Sequence, residues 1–148
     1  MCIRDSYECL QPKYNLVIRD EYERELEPLC LEQSIGVIPY SSLASGFLSG
    51  KYHRGGDLPT TARAAGVQKT YMNDRGFVVL AAVEKVAAGV GATPAQVALS
   101  WLVYRPGITA PIASATSVTQ LKEIVGAVEL KLDADATAIL DQASAWRE

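Results

Sequence analysis

Histidine is nearly missing from this chain: His53 is the only one in 148 residues. A lone histidine with no partner in sequence is a poor general base, so it reads as a surface residue in a loop. Cysteines are few and odd in number (Cys2, Cys9 and Cys30). Their spacing matches no metal-ligand pattern, no disulfide is expected, and the count suits a reducing cytoplasm. No apolar run approaches the ~20 residues that cross a bilayer, so no membrane partner is expected. The N-terminus lacks the apolar core and cleavage site of a secretory signal. Basic residues are not in excess: 14 Lys and Arg face 17 Asp and Glu, for a net charge of −3 and a pI near 5.2. That balance excludes the basic footprint of a nucleic-acid binder. Internal repeats, low-complexity tracts and composition breaks are absent too, so one domain is expected.

What is present alternates between strand and helix signals. Residues 7–11 form a short apolar segment closed by Pro12, which has no N–H for a ladder. Residues 20–33 are helical, with Tyr22, Leu26, Leu29 and Cys30 at the spacing of one buried face and acidic residues in the first turns. Pro28 is expected to kink or divide this helix where it stands. Residues 36–39 then read as a buried strand, completing a βαβ unit of parallel type. At Tyr40 the chain changes to small and hydroxyl residues and reaches a cation at Lys51. An exposed aromatic at a strand end, a Ser/Gly-rich loop and a lysine suit a flat ring with an anionic tail.

Residues 52–71 show no sustained period and read as a long loop. Residues 74–90 keep helical spacing at Phe77, Leu80, Ala81, Val83, Glu84 and Ala87, with Gly89 and Gly91 as stops. Thr93, Pro94 and Gln96 form a cap, a first-turn proline and a capping box for the next helix, whose apolar face is Val97, Trp101 and Tyr104. Trp101 reads as core. Residues 108–113 are a last strand, and Ser117 to Gln120 suggest a second capping box before a helix reaching about Val128. A final helix spans about residues 135–143, packing Ile139 and Leu140.

The run Pro39-Tyr40-Ser41-Ser42-Leu43-Ala44-Ser45-Gly46-Phe47-Leu48-Ser49-Gly50-Lys51-Tyr52 resembles the strand-7 segment of the aldo-keto reductase family. Leu10-Gln11-Pro12-x-Tyr14-Asn15-Leu16 resembles its strand-6 motif, and residues 93–101 the helix that leads into strand 8. The resemblance covers residues 7–144. It implies a partial TIM-type (β/α)8 barrel, an α/β fold of which this chain is the C-terminal half, strands 6–8 with their helices. Such barrels take ~250 residues, so residues 7–148 are roughly half of one. Residues 1–6 match the pattern poorly and read as a non-native leader.

The resemblance also implies a cofactor, NADP, with NAD possible. Gln11 corresponds to the residue that bonds the nicotinamide carboxamide, although a strand-end glutamine by itself reads as merely solvated. Tyr40 corresponds to the ring that stacks on the nicotinamide, with Ser41, Leu43 and Gly46 lining the turn. Lys51 and Arg63 lie near the phosphates; on its own, Arg63 is an ordinary loop charge. Ser114, Ala115, Thr116, Gln120 and Glu123 match the adenosine end, where a bare capped helix is the plainer reading. The chain departs from the family at Ser114 (often Gly), Thr116 (often Arg) and Ile124 (often Asn). Threonine lacks the bidentate fork that favours a dianionic 2′-phosphate.

Family members pass a hydride to an aldehyde or ketone while a tyrosine protonates the carbonyl oxygen, aided by Lys, Asp and His. Those residues belong to the N-terminal half, so no catalytic residue is assigned here. A small-molecule carbonyl substrate is expected for the intact protein, and the fragment is expected to be inactive. The alternative is a cofactor-sensing module resembling potassium-channel β subunits. Open strand edges are expected to favour self-association.

Overall fold

Two very short parallel strands anchor the fold. The computed structural model describes residues 7–58, 60 and 63–146, leaving the suspected leader outside the described residues. Strand β1 (Cys9–Leu10) and strand β2 (Gly36–Val37) pair with Cys9 opposite Gly36 and Leu10 opposite Val37. On the other side of β2, Val37 bridges Ile108, also in parallel. The N–H groups of Thr109 and Ile112 donate to the carbonyls of Val37 and Pro39 at 2.8 and 2.9 Å. A regular parallel ladder would use residue 111 as the second donor, but Pro111 has no N–H, so the pairing slips by one. The three expected strands are therefore parallel neighbours with residues 36–39 in the centre. The last of them, expected over 108–113, is held by a single bridge and is not a full strand.

Side chains alternate across β2. Val37 and Pro39 are buried towards the helices, while Gly36, Ile38 and Tyr40 are half-buried or exposed on the opposite face. Beyond β2, a 3₁₀ segment (Ala44–Ser49) precedes helices α3 (Ala64–Tyr71), α4 (Asp74–Val90), α5 (Pro94–Val103), α6 (Val118–Gly126) and α7 (Ala134–Ser144). The core joins Val79, Leu80, Val83 and Val86 of α4 to Val97, Trp101 and Leu102 of α5 and Leu140 of α7. Helix α4 packs on both of those helices. Trp101 is 3% exposed, as its core reading requires. No single helix among the described residues is long and apolar enough to cross a membrane.

Several local expectations change. The helix expected over 20–33 is two helices, α1 (Asp20–Glu23) and α2 (Leu26–Glu32), and it breaks at Arg24-Glu25, not at Pro28. A proline ring collides with the carbonyl four residues earlier, here that of Arg24, so the chain turns there instead. Pro28 then falls in the first turn of α2, where N–H groups lack intrahelical partners anyway. Leu29, expected on the buried face, is 48% exposed, whereas Tyr22 and Cys30 are buried. The long loop over 52–71 ends as helix α3, which packs Ala64, Val67 and Tyr71 against the 3₁₀ segment. Gly66 and the exposed polar residues around it hid that period. Tyr104 is 48% exposed and its hydroxyl donates to the Val128 carbonyl, so it is not part of the apolar face.

The capping box at Thr93 forms with both bonds, Gln96 N–H to Thr93 Oγ1 and Thr93 N–H to Gln96 Oε1. The expected second box is half formed. Gln120 N–H reaches Ser117 Oγ at 3.2 Å, but Gln120 Oε1 takes both the N–H and the hydroxyl of Thr116 at 2.9 Å. Helix α6 stops at Gly126 and buries none of its residues.

Candidate functional site

The C-terminal ends of the parallel strands converge on Tyr40. Its N–H donates to the Pro12 carbonyl at 2.9 Å, and its own carbonyl accepts from Tyr14 N–H at 3.4 Å. These bonds set Lys13 directly opposite Tyr40 in a parallel bridge. Tyr40 is 46% exposed, so its ring is offered to solvent at the sheet end. Gln11 precedes it on the neighbouring strand and is also exposed.

The turn that follows is held in an uncommon shape. Ser41, Ala44 and Ser45 adopt φ values of 57°, 51° and 57°, and Gly46 follows at 92°. Non-glycine residues in the left-handed region cost about 1 kcal/mol or more each and persist only where surrounding contacts impose them. Asn15 holds the first of them, Ser41. Fully buried, it donates from Nδ2 to the Ser41 carbonyl at 3.0 Å and accepts from Val17 and Ile18 N–H at 2.9 and 3.0 Å. The Ser41 hydroxyl lies 3.4 Å from the Tyr71 hydroxyl, and Ser42 Oγ donates to the Pro39 carbonyl at 3.1 Å. Leu43 is half-buried against the core, and its carbonyl accepts from Gly46 and Leu48 N–H.

Gly46 serves close approach. A Cβ there would stand 3.0 Å from Lys51 Nζ, so the lysine folds back across the glycine. Lys51 is otherwise exposed, with its ammonium 5.7 Å from the Tyr52 ring centre. Arg63 is exposed at the start of α3. Ser114 and Thr116 are exposed, Ala115 and Glu123 half-buried, and Gln120 bonds only within its own turn. Gln11 and Tyr40 lie near the ends of paired strands, Ser41 and Leu43 follow Tyr40 in the turn, and Lys51 meets Gly46. Ser114 to Glu123 form a second patch, reached along the third extended segment. Surface grooves of about 380 and 240 Å³ are lined respectively by α6 residues such as Leu121 and Val125 and by Asp20, Glu21, Arg24 and Glu25. Among the described residues no group of His, Cys, Asp and Glu could hold a metal ion.

The sequence profile of the aldo/keto reductase family matches residues 6–145. The chain belongs to the aldo/keto reductase family. It is 36% identical over 141 residues to an uncharacterized oxidoreductase of Mycobacterium bovis, covering 93% of this chain and 42% of that protein. It is 33% identical to a protein of Glycine max named probable aldo-keto reductase 1, over 83% of this chain and 36% of the relative. It is also 33% identical to a probable voltage-gated potassium channel subunit beta of Arabidopsis thaliana, over 81% and 38%. The chain therefore spans about two fifths of the length of these relatives. The family implies a TIM-barrel-type α/β fold, which the parallel strands and outer helices of this aldo/keto reductase chain fit.

Sequence reasoning missed a polar cluster behind the sheet. Arg19, 8% exposed, donates to Glu23 Oε1 at 2.7 Å, to Asp141 Oδ1 at 3.0 Å and to Ser144 Oγ at 2.7 Å. Arg105 reaches the same two carboxylates at 3.2 and 3.3 Å. Both guanidinium groups lie over the Trp101 ring, at 5.1 and 4.6 Å. Burial acts to raise the Glu23 pKa, but hydrogen bonds from Arg19, Tyr14 and Trp146 outweigh it and hold the carboxyl below its usual value. Burial, with the Glu23 hydrogen bond, pushes the Tyr14 phenol far up. Burial and the nearby Glu27 push Tyr22 up to about 12. These tyrosines stay neutral, and their packing behind the sheet suits a scaffold. The missed members of the aldo/keto reductase patch itself are Lys13, Asn15 and Tyr71. Only Asn15, inside the strand-6 motif, had a signal that could have found it.

Proposed function

We propose that this chain is the C-terminal, cofactor-holding half of an aldo/keto reductase that reduces aldehydes or ketones with NADP(H), NAD(H) being the second candidate. The observation that carries this reading is the exposed Tyr40 ring at the end of two parallel strands and a third bridged segment, followed by a turn with four positive φ values. Parallel α/β barrels take their ligands at that end of the strands. The donor set fits a dinucleotide: an exposed ring at one strand end and an exposed amide on the neighbouring segment, a cradle at Gly46 crossed by a lysine, and hydroxyls before a capped helix. In this assignment Tyr40 stacks on the nicotinamide, Gln11 bonds its carboxamide, and Ser41 and Leu43 line the turn. Lys51 and Arg63 attend the phosphates, and Ser114, Ala115, Thr116, Gln120 and Glu123 hold the adenosine end. When bound, the dinucleotide supplies the hydride. The chain's own residues bind and orient it, while the proton donor belongs to the preceding half of the barrel.

Fluorescence titration with NADPH tests the reading, using the unaltered chain beside Lys51→Ala and Gln120→Ala. Weaker binding in both variants is expected. Equal affinity in all three proteins refutes the assignment, because the binding would then not use these residues.

A second reading has its own support in the relatives named as potassium channel β subunits. In it the same patch senses the bound cofactor for a protein partner. A reductase requires a proton donor beside the bound ring, so sequence upstream carrying a Tyr, Lys, Asp and His set decides for the enzyme.

A further inference from the structure

All six lysines of the chain lie among the described residues, and five of them (Lys51, Lys69, Lys85, Lys122 and Lys131) are exposed. Lys13 is half-buried. The ladder bonds on either side of it, Tyr40 N–H to Pro12 O and Tyr14 N–H to Tyr40 O, fix its backbone against Tyr40. Its ammonium lies 5.7 Å from the ring centre of Tyr71, inside the ~6 Å reach of a cation–π contact. That ring is 3% exposed, packs beside Phe47 and places its hydroxyl by Ser41, so the lysine rests on a rigid wall. Among the described residues no carboxylate comes within 4.0 Å of Lys13, whereas Arg19, Arg24, Arg54 and Arg105 are each paired with one. A half-buried cation seated on a ring, with no carboxylate partner, is open to an incoming anion, with which it can make a charge-assisted hydrogen bond.

We propose that Lys13 binds the diphosphate of the dinucleotide, an assignment that rests on the cofactor reading above. Lys13 is opposite Tyr40, the ring assigned to the nicotinamide, and the diphosphate is the anionic group nearest to nicotinamide along the cofactor. The 2′-phosphate sits at the adenosine end, with the patch from Ser114 to Glu123. Lys13 therefore recognises what NADPH and NADH share, and does not discriminate between them.

The test titrates NADPH and NADH into the unaltered chain, Lys13→Gln and Lys13→Arg at low and moderate salt. Lys13→Gln is expected to bind both dinucleotides about tenfold more weakly, the scale of one charge-assisted contact, with a shallower salt dependence. Lys13→Arg restores most of the loss. A second measurement needs no variant: acetylation of Lys13, read by mass spectrometry, slows in the presence of NADPH or inorganic pyrophosphate while that of Lys85 does not. Unchanged affinity and salt slope in Lys13→Gln, or unprotected Lys13, overturns this proposal and leaves the cofactor reading standing. A loss confined to NADPH overturns it by moving Lys13 to the 2′-phosphate. No binding by the unaltered chain overturns both.

Discussion

Glu23 joins more of this structure than any other carboxylate described. Its Oε1 accepts from Tyr14 OH at 2.6 Å, Arg19 Nε at 2.7 Å and Arg105 Nη2 at 3.2 Å, while Oε2 accepts from Trp146 Nε1 at 2.9 Å. Its side chain is 8% exposed. Glu23→Ala leaves Arg19 with Asp141 and Ser144 alone, and leaves the Tyr14 hydroxyl with no partner. Breaking one side of a buried ion pair costs about 3–5 kcal/mol, and here two guanidinium groups, Arg19 and Arg105, are left sharing the Asp141 carboxylate. With a urea slope of about 1–3 kcal/mol per molar, the unfolding midpoint should fall by roughly 2 M. Urea titration followed by tryptophan fluorescence measures it directly, since Trp101 and Trp146 both touch the network. Arg54→Gln serves as the contrast: its partner Asp74 is 92% exposed, and such pairs contribute less than about 1 kcal/mol. A Glu23→Ala cost as small as that would show that water already screens the cluster and would refute the argument.

The pH dependence has a defined sign. Folding holds the Glu23 carboxyl below its usual value. Its contribution is therefore complete above the unfolded carboxyl value of about 4.3 and is lost as the pH falls through the lower folded value. Glu27 runs the other way: burial raises its pKa, so its contribution is lost as the pH rises through its folded value. Glu23→Gln should flatten the acid limb of the stability profile. An unchanged acid limb would remove Glu23 from the pH dependence.

Two further outcomes are expected. Gly76→Ala should destabilise the chain by about 3 kcal/mol or more in thermal unfolding, because the added methyl overlaps the Tyr71 carbonyl oxygen, a backbone atom that cannot swing away. A loss below about 1 kcal/mol would mean that the α3–α4 junction yields easily. The purified chain should show no NADPH-dependent reduction of a simple aldehyde, because it carries no assigned proton donor. Turnover that disappears in Tyr40→Ala would place the active centre in this half after all.

Local signals in the sequence determined the helices that carry their own punctuation. Helix α4 runs from Asp74 to Val90, and Thr93 caps α5 through a complete box, because both depend on bonds within a few residues. The parallel neighbourhood of the three extended segments was legible through family motifs. Tertiary structure decided the rest. Pairing with residues 37 and 39 decided that the last segment keeps a single bridge. The period of α3 became visible only once Ala64, Val67 and Tyr71 met the 3₁₀ segment. The Arg19, Glu23, Arg105 and Asp141 cluster joins residues up to 122 positions apart, beyond any local pattern. Lys13 belongs to the same class. In sequence it is one lysine among six, and it is singled out only by the neighbours that folding places against it: Tyr40 across the ladder and Tyr71 from a helix far along the chain. Propensity and capping act over a turn or two of chain, while burial and charge compensation depend on which distant residues share a small volume.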